Sequence, residues 1–488
     1  GEFAGTAVNR ERWTDLPGAV GATYTPTAAD KQVRVVYTAP DGTKSISDPM
    51  EIIALADRVM TYYIAPNGKD TNNGSKDAPF ATLEAARDAI RAQRQTEAGK
   101  KKQAVVYLRG GVYRRTQPFT LTGADAAGES TVYRNYPGEE PILSGVQTVS
   151  LSGFTAAAGE AAEALPTQDA RLHVIAGRVE NFPSVTVDDP YYWCRLSAPI
   201  LEQGGSAMRL ARYPNVDEML AWPTSTTVTS GRNSASTGEK MKIQYNDPTG
   251  FVDSLTYRTE DILYGGFYSY GWQYEAVRGV LNREDKTITA LDDTKAGSES
   301  VQTKGQFQVH NTLQALDEPG EWYYDRDQKL LYLYPYDRGG ELTVPGADFT
   351  LLRLDGVSNT TFSGISLQGS RESAVTMKNC ENTVLDGCKI HQIEKRAVLM
   401  NGVKNCGVRN SELYNLGCGA VEITNAGDYD SIGHSGVFVS NNTIHDFGLQ
   451  QMIYADAVRL DYYTVGCRID HNEIYNAYHE AILAQGVD

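Results

Sequence analysis

Two carboxylates occupy equivalent places in a short sequence pattern that recurs in the second half of the chain. Asp456 directly precedes Ala457–Val458, and Glu480 directly precedes Ala481–Ile482. If the recurring units stack as rungs of a parallel sheet, the two carboxyl groups lie about one strand spacing, roughly 4.8 Å, apart. Carboxyl pairs about 5–5.5 Å apart suit glycoside hydrolysis with retention, because one acts as the acid and the other as the nucleophile. The alternative is that both are solvated surface carboxylates at turns.

The recurring unit consists of a small-apolar pair, an alternating strand, a turn and a second short strand. Units of this length, without helical periodicity and rich in Asn and Gly turns, are typical of parallel β-solenoids. Three columns of equivalent residues mark the units: Ala374, Ala397, Ala420, Ala457 and Ala481; Leu367, Ile390, Leu413, Ile444 and Ile474; and, before each small-apolar pair, Ser373, Arg396, Gly419, Asp456 and Glu480.

Strand alternation assigns the side chains that follow Asp456. Val458 and Leu460 are predicted to point inward, so that Arg459 and Asp461 point outward. A surface ion pair between Arg459 and Asp461 would explain both residues and would contribute little energy.

Two insertions lengthen the coil between Ala420 and Ala457, around Gly427–Gly436 and around Phe447–Asp456. Long insertions on a rigid repeat usually build binding sites, and a local wall favours a pocket for a chain end over an open groove. The insertions contribute Asp428, Asp430, His434, Gln450, Gln451 and Tyr454. The residues expected to contact a substrate are Arg459, His479, Gln451, Tyr454, Asp488 and Trp272.

Two of these candidates have an ordinary structural alternative. Trp272 lies in an aromatic cluster within Gly265–Tyr274, and such clusters more often fill a small β core than bind sugars. His479 could hydrogen-bond a sugar hydroxyl or orient an acid, and packing explains it equally well.

The bulk composition excludes several classes of protein. The chain has 488 residues and a net charge of −16, which argues against a nucleic-acid partner because phosphate binding needs a basic face. It has no run of 18 apolar residues, so no membrane span is expected. Six cysteines without C-x-x-C spacing argue against a zinc site and favour buried free thiols over disulfides. We expect the chemistry to need no metal and no cofactor.

The sequence predicts an all-β protein built around a parallel β-solenoid. Residues 1–58 form a small β module, with a hairpin signal at Asp41–Gly42. Residues 59–150 contain the first coils and a short helix that caps the solenoid, with Phe80, Leu83, Ala86 and Ile90 at helical spacing. Residues 151–345 form an inserted β-rich subdomain, and residues 346–488 form the regular coils.

A set of short motifs within residues 62–488 carries a resemblance: Tyr63–Gly68, Pro79–Leu83, Ala86–Asp88, Arg109–Tyr113, Leu210–Asn215, Leu316–Tyr323, His471–Ile474 and His479–Ile482. With these motifs the chain resembles bacterial right-handed parallel β-helix glycoside hydrolases of the β-xylosidase, α-fucosidase and lacto-N-biosidase types. The N-terminal module resembles the Ig-like repeats of bacterial surface proteins.

The resemblance implies a right-handed parallel β-helix and a hydrolase with a two-carboxylate, retaining mechanism. Its substrate would be a complex host or plant glycan, cleaved at the chain end or as a terminal disaccharide, by a secreted or cell-surface bacterial protein. In β-xylosidase-type relatives a catalytic carboxylate occupies the outward column, which makes Asp461 the best single catalytic candidate, with the surface ion pair as an equal alternative. Relatives continue for several coils beyond Asp488, so a second chain or a C-terminal fragment is expected to complete the solenoid, and catalytic acids could lie there.

Two other functions use the same architecture. A polysaccharide lyase is one alternative, although the acidic outer faces of the repeat would repel uronic acids. A non-catalytic glycan-binding surface protein is the other, because function resides in sites grafted on a fold.

Overall fold

The computed structural model describes residues 32–33, 36–47, 50–51, 58–188, 195–215, 225–226, 242–245, 247, 249–268, 274–291, 305–428 and 430–487. The chain forms two compact units, residues 1–60 and 61–488. The strands described within the first unit are β1 (Gln32–Val33), β2 (Val36–Thr38), β3 (Lys44–Ile46) and β4 (Met50–Glu51). β1 pairs with β4 and β2 with β3, both antiparallel. The Ig-like character of residues 1–58 stays a prediction, because much of that segment lies outside the described residues.

The remaining strands follow in chain order. The first solenoid strands are β5 (Val59–Ile64), β6 (Gln103–Leu108), β7 (Gly111–Arg114), β8 (Phe119–Thr122), β9 (Thr131–Asn135) and β10 (Pro141–Ser144). The inserted segment contains β11 (Val146–Ser150), β12 (Thr155–Ala156), β13 (Ile175–Arg178), β14 (Thr186–Asp188), β15 (Arg195–Ser197), β16 (Leu201–Gln203), β17 (Ser206–Leu210), β18 (Arg212–Tyr213), β19 (Ser225–Thr226), β20 (Lys242–Gln244), β21 (Leu263–Phe267), β22 (Tyr274–Asn282), β23 (Thr287–Ala290), β24 (Gly305–His310), β25 (Glu321–Asp325), β26 (Leu330–Tyr334) and β27 (Glu341–Pro345). The regular coils contain β28 (Leu352–Asp355), β29 (Thr360–Ser363), β30 (Ser366–Ser370), β31 (Val375–Lys378), β32 (Val384–Asp386), β33 (Lys389–Ile393), β34 (Val398–Asn401), β35 (Gly407–Arg409), β36 (Glu412–Leu416), β37 (Val421–Thr424), β38 (Phe438–Ser440), β39 (Thr443–Phe447), β40 (Val458–Thr464), β41 (Arg468–Asp470), β42 (Glu473–Ala477) and β43 (Ile482–Val487).

Three sheets form the solenoid, and each regular coil adds one strand to each sheet. Sheet A has the order β5-β6-β9-β29-β32-β35-β38-β41, sheet B the order β7-β10-β30-β33-β36-β39-β42, and sheet C the order β8-β28-β31-β34-β37-β40-β43. Neighbouring strands of the regular coils pair in parallel. The chain therefore passes from sheet A to B to C in every coil, and the predicted parallel β-helix is confirmed.

The stacked columns predicted from the repeat are confirmed by the strand register. In sheet C the partners on successive strands are Val375, Val398, Val421, Val458 and Ile482. In sheet B they are Leu367, Ile390, Leu413, Ile444 and Ile474. The first four residues of each column are fully buried, whereas Ile482 on β43 is 48 % exposed. A second chain or further segment that covers this end stays a prediction.

Polar and aromatic side chains also stack from coil to coil. Inside the turns, Asn442 Nδ2 donates to Asn472 Oδ1 at 2.9 Å. On the outside of sheet B four rings stack with centroid separations of 4.8, 5.2 and 4.8 Å and planes within 5° of parallel: His391, Tyr414, His445 and Tyr475. In these stacks each coil contacts the next one along the solenoid, as expected for a repeat protein.

The α-helices within the described part of residues 61–488 are short: α1 (Leu83–Gln93), α2 (Glu97–Lys100), α3 (Gly159–Ala164), α4 (Gln168–His173) and α5 (Phe251–Ser254). α1 is the predicted capping helix. Thr82 caps its first turn through its side-chain oxygen, and Leu83, Ala86 and Ile90 bury one face. Phe80, which the spacing placed on this helix, lies before it and forms a bridge with Ile64. No helix among the described residues is long and apolar enough to span a membrane.

The predicted β-rich insertion leaves the solenoid between β10 of sheet B and β28 of sheet C, at what we term the B–C corner. Its first and last strands, β11 and β27, pair with each other and close its base. This pair belongs to the first of two larger sheets, which has the order β11-β27-β16-β17-β25-β26-β13-β12. The second sheet has the order β18-β24-β21-β22-β23-β20. Glu202 fastens the insertion to sheet B, because it lies 3.1 Å from His391 Nδ1 and accepts from Asn415 Nδ2 at 2.8 Å. The domain boundaries stay predictions.

The five cysteines among the described residues are free, as the composition predicted. Cys380, Cys388, Cys406 and Cys418 are buried, and Cys467 is half-buried. Cys194 lies outside the described residues.

Truncating Ile444 tests the stacked interior. Ile444→Ala should lower the free energy of unfolding by about 2–5 kcal/mol, because it leaves a cavity in a fully buried column. Ile482→Ala, in the equivalent column of sheet C but half exposed, is the matched control and should cost about 1 kcal/mol or less. Urea unfolding followed by circular dichroism measures both changes. Equal losses from the two variants would contradict the burial gradient along the solenoid.

Candidate active site

Asp456 and Glu480 lie at the B–C corner, where each ends the loop that leads into a strand of sheet C. Asp456 leads into β40 and Glu480 into β43. These strands pair in parallel, with Val458 opposite Ile482. Asp456 and Glu480, which lie two residues before this pair, therefore occupy equivalent places on neighbouring coils. The structure therefore brings together the two carboxylates that the repeat aligned. Their catalytic role stays a prediction.

The two carboxyl groups meet around the ring of His479. One donor atom from each of Asp456, His479 and Glu480 lies within 4.8 Å of the other two. His479 Nδ1 is 3.5 Å from Asp456 Oδ1 and makes a closer contact with Glu480 Oε2. The Asp456 side chain has no exposed surface, whereas that of Glu480 is 47 % exposed. Glu480 is thus the carboxyl that solvent or a substrate reaches first.

His479 and two guanidinium groups favour the ionised form of Asp456. Arg396 Nη2 lies 3.5 Å and Arg459 Nη1 3.8 Å from Asp456 Oδ2. Burial is the largest influence and alone would raise the pKa of the Asp456 carboxyl. The hydrogen bond from His479 and the charge of Arg396 oppose it, together with smaller effects of Glu480 and Arg459, and the net result is a lowered pKa. Asp456 is therefore a carboxylate at neutral pH.

Gly419 makes room for the side chain of Arg396. Gly419 lies on the coil between those of Arg396 and Asp456, and a Cβ at this position would overlap Arg396 Nη1 and the Asp456 carbonyl. Across this gap Arg396 Nη1 donates to Asp456 O at 3.2 Å and Nη2 donates to Tyr454 O at 2.5 Å. Arg396 Nε also lies 2.8 Å from Glu422 Oε2. Arg396 thereby fixes the loop that carries Asp456.

Asp461 lies further along β40, in the predicted register opposite Thr424. Arg459 donates to Asp461 Oδ2 from Nε at 2.9 Å and from Nη2 at 2.7 Å, and Tyr462 N donates to Oδ1 at 3.0 Å. Under these partners the Asp461 side chain is only 6 % exposed, although strand alternation placed it on the surface. The predicted ion pair is present, and Arg459 bridges Asp461 and Asp456.

Tyr454 and Gln451 lie on the loop between β39 and β40, but they face different partners. The Tyr454 ring is 5.6 Å from the His479 ring, and the Arg459 guanidinium lies 5.5 Å from its centroid. Gln451 Oε1 accepts from Cys418 Sγ at 3.1 Å, and its Nε2 donates to a backbone carbonyl two residues ahead. Tyr454 therefore borders the carboxyl pair, whereas Gln451 shapes the loop.

The inserted subdomain forms a wall beside this loop. Phe267 of the insertion packs with Met452 and Ile453 in a buried cluster, and Tyr454 and Tyr478 lie at its margin. A cleft opens between the insertion and the loop, lined on the solenoid side by Leu449, Gln450, Met452 and Tyr478 and on the insertion side by residues that include Arg209, Arg212, Tyr274, His310 and Trp322. The cleft and the carboxyl pair thus share one loop.

Neutral polar groups line part of this cleft. His310 Nε2 is 2.8 Å from the Tyr274 hydroxyl. Burial, reinforced by the charge of Arg212, lowers the pKa of His310 to about 3, so its imidazole is uncharged at neutral pH. Hydroxyl and imidazole groups of this kind can exchange hydrogen bonds with an uncharged ligand.

The candidates Asp428, Asp430 and His434 do not join the carboxyl pair. The insertion Gly427–Gly436 connects β37 of sheet C to β38 of sheet A, so it lies at a different corner, and the expectation that both insertions build one wall is wrong. There Asp428 Oδ1 caps its own hairpin by accepting from the backbone of Asp430 and Ser431. Trp272 and Asp488 lie outside the described residues, so their substrate contacts stay predictions.

The same three side chains could hold a metal ion, because Asp456, His479 and Glu480 each offer one donor atom within 4.8 Å of the others. Two carboxylates and an imidazole suit several divalent cations. Arg396 and Arg459, however, already neutralise Asp456 and would repel a cation. The donor set therefore fits a metal poorly, and the expectation of metal-free chemistry stays a prediction.

Sequence reasoning missed the role of two residues that it had aligned. Arg396 and Gly419 stood in the column of Asp456 without an assigned function. The signal was present, because a glycine between an arginine and a carboxylate on successive rungs lets the long side chain cross to the acid.

The family described as "Right handed beta helix region" matches residues 350–487, so the regular coils are right-handed. A solved structure described as a glycoside hydrolase aligns over 87 % of this chain and 96 % of that chain, with 15 % identity and a TM-score of 0.51. At this identity the likeness shows the fold alone.

Two curated proteins are similar to a short stretch of the chain. An uncharacterized protein, YwoF of Bacillus subtilis (strain 168), and pectate lyase PEL9 of Emericella nidulans each share 35 % identity over 83 residues, 17 % of this chain. The stretch spans 15 % and 18 % of those two proteins. The chain thus covers less than a fifth of their lengths.

Replacing Asp456 by asparagine should destabilise the solenoid in a pH-dependent way. The lowered pKa means that the carboxylate stabilises the fold above its unfolded pKa of about 3.9 and loses this effect as the pH falls through the folded value. Asp456→Asn should therefore cost on the order of 3 kcal/mol at pH 7, because it removes the buried negative charge that Arg396 and Arg459 both approach. The difference from wild type should shrink at acidic pH, as measured by urea unfolding.

Asp446→Asn is the matched control, because Asn occupies the equivalent left-handed position at Asn415 and Asn476. If the loss in free energy of unfolding caused by Asp456→Asn stayed constant from neutral to acidic pH, it would contradict the ionised state assigned to Asp456.

Proposed function

We propose that this chain is a glycoside hydrolase in which Asp456 and Glu480 form the carboxyl pair. The single observation that carries the proposal is the contact between one buried, ionised carboxylate and one accessible carboxyl at the same corner. The lowered pKa of Asp456 suits a nucleophile, and the accessible Glu480 is proposed as the acid. The short separation favours retention of configuration over inversion.

The division of roles follows from exposure and charge. Glu480 protonates the glycosidic oxygen while the bond between that oxygen and the anomeric carbon breaks. The carboxylate of Asp456 attacks the anomeric carbon and forms a glycosyl ester. Glu480, now ionised, removes a proton from water, whose oxygen attacks the anomeric carbon and releases Asp456. One water is consumed, and both carboxyl groups return to their starting states.

Access to Asp456 requires a movement of its neighbours. Because Asp456 has no exposed surface and His479 is 18 % exposed, a substrate must turn the His479 ring or the Glu480 side chain aside. Tyr454, whose ring lies 5.6 Å from that of His479 at an angle of 48°, then borders the sugar. Asp461 is buried under Arg459 and is therefore proposed as a positioning residue that holds this guanidinium against Asp456.

The wall at the B–C corner supports action at a chain end. The insertion packs against the loop 448–456 that ends at Asp456, and a cleft lined by apolar, aromatic and polar side chains lies between them. We propose that the terminal sugar or disaccharide of a complex host or plant glycan binds at the carboxyl pair against this wall, outside the cell or at its surface.

A polysaccharide lyase is the second candidate, and one observation favours it: the 35 % identity with pectate lyase PEL9 over 83 residues. A lyase creates a carbon–carbon double bond in its product, whereas a hydrolase consumes water. Absorbance of the products in the near ultraviolet, together with the mass added by water, separates the two reactions.

Incubation with a glycan library, followed by mass spectrometry, tests the hydrolase. Asp456→Asn and Glu480→Gln should each lower the turnover of a cleaved glycan by about 10²–10⁴-fold, because each removes a proton carrier or the nucleophile. Asp461→Asn should lower turnover less and retain more activity than Asp456→Asn, because it acts through Arg459. Glu473→Gln on β42 is the matched control and should leave turnover unchanged.

Unchanged turnover in Asp456→Asn and Glu480→Gln would refute this carboxyl pair. Activity that disappears on addition of EDTA and returns with a divalent cation would refute the metal-free mechanism.

A further inference from the structure

We propose that Tyr462 and Tyr463, the tyrosine platform, form a second contact surface for the same glycan, at the opposite end of β40 from Asp456. The inference rests on the proposed function and deepens it. It assigns the substrate class as a neutral glycan that extends several sugar units beyond the bond that is cleaved.

The first observation is backbone conformation. Positive φ in the regular coils is mostly confined to Gly and Asn, which adopt it at little cost. Tyr462 has a φ of 39° and Tyr463 a φ of 53°. A bulky side chain in this region is a rare and strained conformation, which persists mainly at functional sites.

The second observation is exposure. Tyr462 and Tyr463 are 63 % and 60 % exposed, so they contribute little to a core that could offset the strain. They occupy a bulge, since the register between β40 and β43 shifts between Asp461 and Thr464. Bulges next to active sites re-aim side chains, and here the bulge turns two adjacent rings toward solvent.

The third observation is a neighbour with the same features. Ile432, on the hairpin of the preceding coil, is 62 % exposed and has a φ of 53°. The two segments adjoin, because Asn425 N donates to Tyr462 O at 2.8 Å and Ser435 N donates to Val465 O at 2.9 Å. Strained, exposed, large side chains are thus carried by two adjoining segments at one corner.

The path along β40 from the candidate active site to the tyrosine platform indicates which ligand the platform binds. Asp456 and Tyr462 are six residues apart along an extended segment, a span of about 20 Å. Between them the outer surface of sheet C carries Arg459 and Asp461, which pair with each other. A chain bound at Asp456 that follows β40 therefore arrives at the tyrosine platform.

The chemistry of the surface selects a neutral sugar chain. Each tyrosine offers an apolar ring face to the C–H face of a sugar and a hydroxyl group to its rim. The two guanidinium groups on the path, Arg396 and Arg459, are already paired with Glu422, Asp456 and Asp461, so they are not available as counter-ions for a uronic acid polymer.

The experiment compares the wild type with the double variant Tyr462→Asn/Tyr463→Asn. Calorimetry measures the binding of neutral disaccharides and hexasaccharides from xylose, glucose and galactose series. The variant should bind the hexasaccharide at least about tenfold more weakly, a loss of about 1.4 kcal/mol, and the disaccharide as the wild type does. Its melting temperature should rise by about 2 °C, because asparagine relieves the strained backbone. Tyr475→Ala, an exposed tyrosine of the stack on sheet B, is the matched control and should bind both as the wild type does.

If the double variant binds the hexasaccharide as tightly as the wild type does, the proposed platform is overturned, whether or not the melting temperature of the variant falls. So would a wild type that binds none of the hexasaccharides. A wild type that binds a hexasaccharide through the tyrosines and hydrolyses none would refute the proposed hydrolase and leave the platform standing.

Discussion

The parallel pairing of β40 with β37 on one side and β43 on the other is the constraint on which the site depends. Hydrogen bonding between rungs fixes both the spacing and the register of equivalent residues. Because β40 and β43 are in register at Val458 and Ile482, Asp456 and Glu480 cannot separate without breaking the ladder. The same ladder places Gly419 beneath the path of Arg396. The stacking of the coils thus positions both Asp456 and Glu480 and the Arg396 guanidinium that pairs with Asp456.

Electrostatics then makes the two carboxyls different, although the repeat makes their positions equivalent. Asp456 is buried between two guanidinium groups and has a lowered pKa, whereas Glu480 reaches solvent. The chain of ion pairs from Glu422 through Arg396, Asp456 and Arg459 to Asp461 distributes charge along the surface of sheet C. A buried charge is tolerated only when it is paired in this way.

Much of the fold could be predicted from the sequence because equivalent residues of successive repeats are neighbours in three dimensions. The spacing of Val421, Val458 and Ile482 was sufficient to align the coils, and the alignment placed Asp456 beside Glu480. What the repeat does not encode is where irregular segments travel. The insertion 427–436 and the loop 448–456 leave the same coil at different corners, and only the three-dimensional path shows that the second alone reaches the site. The burial of Asp461 was missed for a similar reason: alternation gives the direction of a side chain, but not that Arg459 folds over it.

The most direct measurement of the central claim is cross-linking of the double variant Asp456→Cys/Glu480→Cys. Neighbouring rungs place backbone positions within the 4.4–6.8 Å that a disulfide spans between Cα atoms. Under mild oxidation, peptide mapping by mass spectrometry should find a disulfide between residues 456 and 480 in nearly all molecules. Absence of this cross-link, in protein that retains its β-sheet circular dichroism, would contradict the stacking of the two acids and the mechanism built on it.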